Sequence, residues 1–268
     1  MVKQQEILLL EQNFSNKQTL DSFATTNTLL DSMPEINKPI IHFWTLPKHV
    51  ILGLKDKRLP NLKKGIDFLH QKGFSTFIRN SGGLAVVNDP KIINISLFLP
   101  NASSISVNEA YQKMTQLIQH SLPDFIIKTG EITHSYCPGT FDLSVVNQKI
   151  AGMSQRRHKD ALVIMLYMSV AGDQISRSEL IKQFYQISLN NEENKWNFPD
   201  IHPSSMTTLF NIDHSVENND VIKQNVLTLL ETNNYILNNE FLEKYLKQDS
   251  YKKLFQNNLT KLQKYQIN

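Results

Sequence analysis

Ser135-Tyr136-Cys137-Pro138-Gly139-Thr140-Phe141-Asp142-Leu143-Ser144-Val145-Val146-Asn147-Gln148-Lys149-Ile150-Ala151-Gly152-Met153 holds the chain's one cysteine, and a lysine twelve residues after it. The stretch reads as a loop followed by two strands. Tyr136 and Pro138-Gly139 mark a turn, because proline fixes φ and lacks a donor while glycine admits φ > 0. Residues 141–145 and 149–155 alternate or run apolar as strands do, with Asn147-Gln148 as the turn between them. A free cysteine is most often an inert, buried, small hydrophobe. A thiol in a turn sits instead near the surface, where function collects. Thiolate is favoured by nearby cations, and Lys149, Arg156, Arg157 and His158 could supply them if the fold brings them close. Lys149 lies in a strand that continues Ile150-Ala151-Gly152, and burying an ammonium there without a purpose is costly.

Outward from this core, strands are expected at 39–46, 50–54, 74–79, 84–87, 93–99, 125–128 and 161–170. Pro60 can open a helix that places Leu62, Ile66 and Leu69 on one face and ends at Gly73. Leu20, Phe23, Ala24 and Leu30 have helical spacing. Ser106-Val107-Asn108-Glu109 and Ser176-Arg177-Ser178-Glu179 read as capping boxes opening two more helices. Beyond Pro203 the patterns, such as Val221, Val226, Leu229 and Leu230, are helical and separated by Asn-rich breaks. The expected fold is α+β, with mixed or antiparallel sheets, flanking helices and a helical C-terminal segment. The expected division is a catalytic domain over 1–190 and a helical extension over 191–268.

Composition bounds the function. With 268 residues, 40% hydrophobic and 20% charged, the chain can bury a proper core. A single cysteine cannot form an internal disulfide, so nothing calls for an oxidising compartment. The apolar run at 7–10, flanked by Glu6 and Glu11, is too short for a signal peptide. The longest apolar stretch, 161–171, falls far below the ~20 residues of a membrane helix. These features point to a cytoplasmic protein without a membrane partner. The net charge of +3 is mildly basic. Lys48, Lys55, Lys57, Arg58, Lys63, Lys64 and Lys72 form one cluster and Arg156, Arg157, His158 and Lys159 another. Either is a solvated face or a docking surface for an acidic protein. No basic stripe interleaved with aromatics suggests nucleic acid. The eight histidines show no ligand spacing with Cys137, so no metal site is expected.

Arg79-Asn80-Ser81-Gly82-Gly83-Leu84-Ala85-Val86-Val87 is the second informative segment. Adjacent glycines let backbone approach a ligand closely, with N–H groups free for an acyl oxygen. Taken alone the pair also fits an ordinary hairpin, and Arg79 a surface charge.

Taken in order, this segment, Gly130-Glu131-Ile132, the Ser-Tyr-Cys-Pro-Gly loop and Lys149-Ile150-Ala151-Gly152-Met153-Ser154-Gln155-Arg156-Arg157 resemble the biotin/lipoate protein ligase and transferase superfamily. The resemblance spans roughly residues 20 to 190. It is nearest to the cysteine-dependent octanoyl (lipoyl) amidotransferase branch. It implies that Cys137 and Lys149 are catalytic, and that Arg79, Ser81, Gly82, Gly83, Ala85, Asp142 and Gly152 bind the acyl group or substrate. Asp142 could orient Lys149 or serve a structural hydrogen bond, and His134 is a further candidate. It also implies the glycine cleavage H protein as acyl donor, lipoyl domains of 2-oxoacid dehydrogenase complexes as acceptors, and no cofactor. Three positions depart from the family pattern. Thr26 and Asn27 stand where acidic residues are usual, which would alter the floor of the acyl site. Asn147-Gln148 replaces Asn-Gly, and Asp89-Pro90-Lys91 lacks a glycine. Alternatives are a transferase drawing on octanoyl-acyl carrier protein, an ATP-dependent lipoate ligase, and a non-catalytic binder of lipoylated proteins. A ligase needs no cysteine, so Cys137 speaks for the transferase.

Overall fold

The computed structural model describes residues 4–267. Two sheets organise it. The larger comprises β1 (Gln5–Asn13), β2 (Ile40–Thr45), β6 (Ile92–Leu99), β7 (Lys128–Thr129), β8 (Leu143–Val145), β9 (Gln148–His158), β10 (Ala161–Ser169) and β11 (Tyr235–Asn238), in the order β11-β1-β2-β6-β10-β9-β8-β7. β11, β1 and β2 run parallel, and the remaining pairs are antiparallel. The smaller sheet is β4-β3-β5, from β3 (His49–Leu52), β4 (Ser75–Ile78) and β5 (Val86–Asn88). The expected α+β class with mixed sheets is what the chain adopts.

β10 is buried at every residue because helices cover both of its faces. On one face Leu29, Leu30 and Met33 of α1 (Asp21–Ile36) meet Val163 and Met165. On the other, Ala110, Met114 and Ile118 of α3 (Val107–Ser121) meet Leu162, Ile164 and Leu166. α3 starts at the expected capping box: Glu109 N–H donates to Ser106 Oγ at 3.2 Å, and Ser106 N–H to Glu109 Oε2 at 2.7 Å. α2 (Leu62–Gln71) packs on α4 (Gln174–Leu189). α4 departs from its reading. Asp173, not Ser176, is the cap, accepting from Ser176 N–H at 2.9 Å, so the helix begins earlier than the 176–179 motif suggests. An aspartate with β-region backbone at the chain reversal outcompetes the internal serine.

Other differences follow from pairing rather than propensity. The β8–β9 turn is Val146-Asn147, with Val145 opposite Gln148 and φ of 50° and 60° at the two turn residues. A two-residue hairpin of this hand needs φ > 0 at both positions, so the turn lies one residue before Asn147-Gln148. The strand expected at 125–128 shrinks to Lys128–Thr129 at the sheet edge. β1 and β11 have no counterpart among the expected strands; each is short of alternation, β1 pairing with β2 and β11, and β11 with β1.

The segment beyond 190 holds α5 (Leu209–Ile212), α6 (Asn219–Thr232), α7 (Glu240–Tyr245) and α8 (Asp249–Gln263), and also contributes β11 to the main sheet. α8 lies on α1, where Asn258 Nδ2 donates to Thr28 Oγ1 and Asp31 Oδ2. Past α8, the Gln266 amide closes the free edge of β4. Its Oε1 accepts from Ile78 N–H at 2.8 Å and its Nε2 donates to Ile78 O at 3.0 Å. Gln266→Ala leaves both main-chain groups of a buried residue without these partners and is expected to cost about 1–2 kcal/mol. The shift in urea midpoint at constant slope measures it; an unchanged midpoint would mean water replaces the amide at no cost. Among the described residues, no helix is long and apolar enough to cross a membrane.

Candidate active site

Cys137 sits in the loop between β7 and β8 with φ of 49°, a left-handed conformation uncommon for a side chain bearing Cβ. The loop is pinned on both sides of it. Tyr136 is buried, with its hydroxyl 2.6 Å from that of Tyr167 and 3.2 Å from Gln174 Nε2. Asp142 Oδ2 accepts from Gly139 N–H at 3.1 Å and Ile132 N–H at 3.4 Å. Backbone held in a sparsely populated region by surrounding bonds is a hallmark of functional loops. The half-buried sulfur receives Leu84 N–H at 3.2 Å, and Arg79 Nη2 lies 3.7 Å away. Both donors point at the sulfur, where they can hydrogen-bond an anion.

Lys149, 2% exposed, directs its ammonium at four oxygens. These are Cys137 O at 2.8 Å, Asp142 Oδ1 at 3.0 Å, Tyr136 O at 3.2 Å and Ser135 Oγ at 3.3 Å. Burial raises the Asp142 carboxyl above the ordinary aspartate range, and the Lys149 charge pulls it back down. The lysine's hydrogen bonds thus go to the main chain of the Cys137 loop, to Ser135 Oγ and to Asp142. The charge on the sulfur's own side is that of Arg79.

Arg79 folds its loop around itself, donating from Nε to Gly82 O at 3.1 Å and from Nη2 to Leu84 O at 3.0 Å. Gly83 has φ of 92°, and a Cβ there would lie 2.4 Å from Arg79 Nη2 and 3.1 Å from the sulfur. Only glycine fits. Gly53, whose role the sequence reading missed, backs this loop: a Cβ on it would fall 2.0 Å from Gly83 O. The segment from Leu52-Gly53 to Leu59-Pro60 fits the family branch, and an isolated glycine at the end of a strand pattern is a local mark of close approach. Neither assigns Gly53 this contact. Ser81 lines the cavity with its buried Oγ unpartnered, and Gly152 lines it against Lys149. Ala85 does not line the cavity; it is fully buried and gives its N–H to Tyr185 Oη at 3.0 Å.

The cavity beside the sulfur is about 330 Å³, in the range of small-molecule sites. Phe23, Trp44, Val86, Met165 and Tyr167 give it an apolar lining suited to an aliphatic chain, and Arg79, Gly83 and Cys137 line it as well. Thr26 and Asn27 do not line it. Thr26 Oγ1 donates to Ser22 O, and Asn27 accepts from Arg156 Nη1, which also reaches Asn80 Oδ1 at 3.2 Å. Asn27 therefore holds Arg156, whose own proton affinity is lowered by burial, and of this helix it is Phe23 that lines the cavity. Lys159 stands at the tip of the β9–β10 hairpin, seven residues and so roughly 20 Å beyond Gly152.

His134, Asp200 and His202 form a group of possible metal ligands on the surface, outside the cavity. Their two imidazoles stack face to face, 3.9 Å apart and 4° from parallel. A metal bound through ring nitrogen lies near each ring's plane, and no point lies in two parallel planes.

The sequence model described as the lipoyl protein ligase A/B catalytic domain matches residues 18–230. An octanoyl-[GcvH]:protein N-octanoyltransferase of Exiguobacterium sp. is 43% identical over 194 residues, covering 72% of this chain and 69% of that protein. A lipoyl-[GcvH]:protein N-lipoyltransferase of Listeria monocytogenes is 42% identical over 194 residues, covering 71% and 70%. A crystal structure of lipoate-protein ligase A bound with ATP superimposes with a TM-score of 0.72 at 17% identity, over 97% of this chain and 95% of that one. At that identity the likeness concerns the fold. With its sequence matched over most of its length and its sheets arranged as in the ligase, the chain belongs to the lipoyl protein ligase A/B catalytic-domain family.

Proposed function

We propose that this protein moves an octanoyl or lipoyl group from the lysine of the glycine cleavage H protein, through a thioester on Cys137, to the lysine of lipoyl domains in 2-oxoacid dehydrogenase complexes. The carrying observation is the half-buried sulfur at the end of an apolar cavity, with the Leu84 amide and the Arg79 guanidinium turned toward it. Relatives at about 40% identity that bear [GcvH]-dependent acyltransferase names support the donor.

The chemistry divides into two balanced halves. The Cys137 thiolate adds to the carbonyl of the donor's acyl-lysine; the C–N bond breaks, and the leaving amine takes up one proton from water. The acceptor amine then adds to the thioester; the C–S bond breaks, the thiolate returns and the amine gives one proton back to water, so the two halves cancel. Ser81 Oγ and the Gly82–Gly83 backbone lie along the acyl path, and Lys149 with Asp142 holds the loop that presents the sulfur. One amide is exchanged for another, so no activation is needed. Octanoylated H protein, this enzyme and an apo lipoyl domain are expected to give octanoylated acceptor without ATP or magnesium, read by intact mass. A wild-type mass adduct on the enzyme should precede it. Strict dependence on ATP, with free octanoate or lipoate as donor, would assign the chain to ligation instead.

A further inference from the structure

Asp56 and Tyr185 stand 129 residues apart, in the 3₁₀ turn at Leu54–Arg58 and in α4, and neither touches the cavity. Both are buried. Tyr185 Oη donates to Asp56 Oδ1 at 2.8 Å and accepts from Ala85 N–H at 3.0 Å. Asp56 Oδ2 accepts from Gly53 N–H at 2.8 Å, and Gly53 packs directly on Gly83 O. The Leu84–Ala85 peptide is thus held at both ends, its N–H by Tyr185 and its C=O by Arg79 Nη2. The preceding peptide has its carbonyl against Gly53 and aims its N–H at the Cys137 sulfur.

We propose that Tyr185, oriented by Asp56, is a positioning residue that fixes the Leu84 amide on the Cys137 sulfur. A carboxylate fits this task because it only accepts, and so turns the Tyr185 hydrogen toward itself and leaves the hydroxyl lone pairs for Ala85. The alternative, two polar side chains satisfied by one another simply to fill the space between α4 and the 3₁₀ turn, leaves the Ala85 contact incidental. Their bonds to Gly53 and Ala85, on either side of one glycine-rich loop, favour positioning. The charged groups facing Asp56 are Arg79 and Lys55, with Tyr185 its titratable neighbour. Around the sulfur stand Arg79, and Lys149 with Asp142 behind the loop. Burial lifts the Asp56 carboxyl to about 6, so near neutral pH it is ionised and in the acceptor form.

The inference rests on Cys137 as nucleophile, and its test needs no acyl substrate. Cys137 is the one cysteine of the chain, so alkylation by iodoacetamide reads that sulfur alone. Near neutral pH, Tyr185→Phe is expected to slow alkylation of the folded protein by about 3- to 10-fold, the size of one net hydrogen bond. In denaturant the variant and wild type should react alike. Asp56→Asn keeps Tyr185 and should act in the same direction, the gap to wild type closing below about pH 6, where wild-type Asp56 is itself neutral. In acyl transfer, Tyr185→Phe should lower kcat by a similar factor with KM unchanged. A merely structural role predicts the reverse, since a loosened fold opens the sulfur to reagent. Faster alkylation with a lower Tm, or wild-type rates in whichever of the two variants unfolds cooperatively, would overturn the inference. Wild-type Cys137 no more reactive folded than in denaturant would instead remove its premise, the nucleophile reading.

Discussion

Cys137→Ser is expected to lose the acyl-enzyme adduct and to lower kcat/KM for transfer by at least about 10³-fold, roughly 4 kcal/mol of transition-state stabilisation. An alcohol is a far weaker nucleophile at neutral pH than a thiolate, and among the described residues no proton-accepting side chain hydrogen-bonds the sulfur. The groups that approach it are donors, the Leu84 amide and Arg79. They support an anion once formed and cannot take a hydroxyl proton. Fold should survive, because serine is slightly smaller, keeps an acceptor for Leu84 N–H and asks nothing new of the loop. Intact mass after mixing with octanoylated H protein, alongside a thermal melt, separates the two effects. Turnover within tenfold of wild type would mean the acyl group never rests on residue 137.

Lys149→Met should damage both stability and chemistry. Removing one partner of a buried ion pair strands the other, a loss of about 3–5 kcal/mol. Here it also frees the carbonyls of Tyr136 and Cys137. The effect has a pH signature. Burial already raises the folded Asp142 carboxyl, and Lys149 opposes that rise. Without the lysine the folded state holds its proton more firmly than the unfolded state does. Stability of the variant therefore falls as pH climbs from about 4, the unfolded aspartate value, through the raised folded value. Urea titrations at acidic and at neutral pH should show the larger deficit at neutral pH. Lys149→Arg keeps the charge and should recover part of the stability. A planar guanidinium cannot direct one nitrogen at four converging oxygens, so transfer should remain depressed by more than about 100-fold. An arginine variant within threefold of wild type would make charge, not geometry, the requirement. A methionine variant with equal deficits at both pH values would remove Asp142 from the account.

The two losses differ in kind. At Cys137 one reacting atom changes in an intact frame; at Lys149 the frame changes around an intact atom.

Much of this was legible along the chain. The α+β class, the Ser106 cap of α3, the hairpin strands either side of residues 146–147, and the turn that makes Cys137 unlike core filling all come from local chemistry. So does the turn at Gly83, because a residue that must pass close to other atoms leaves its mark as a missing side chain. The order of the segments carried the family likeness. Local chemistry failed where pairing decided. Residues 5–13 and 235–238 carry no strand signature of their own, and become β1 and β11 only because three parallel strands satisfy one another's main-chain groups. The Thr26 and Asn27 positions fall on a helix whose one-dimensional pattern cannot say which buried face meets the cavity; packing gave that wall to Phe23.

Residue types and their order along the chain name the candidates for the chemistry: one thiol, one strand lysine, one arginine before a glycine pair. Folding sets which of these groups touch and how they are turned. It put the arginine and the Leu84 amide on the sulfur and turned the lysine to the loop's carbonyls. It also brought in Gly53, Asp56 and Tyr185 from distant segments as the support beneath them. Residue type fixes what a group can donate or accept. Direction and partner depend on contacts between segments far apart in the chain, which no local pattern encodes.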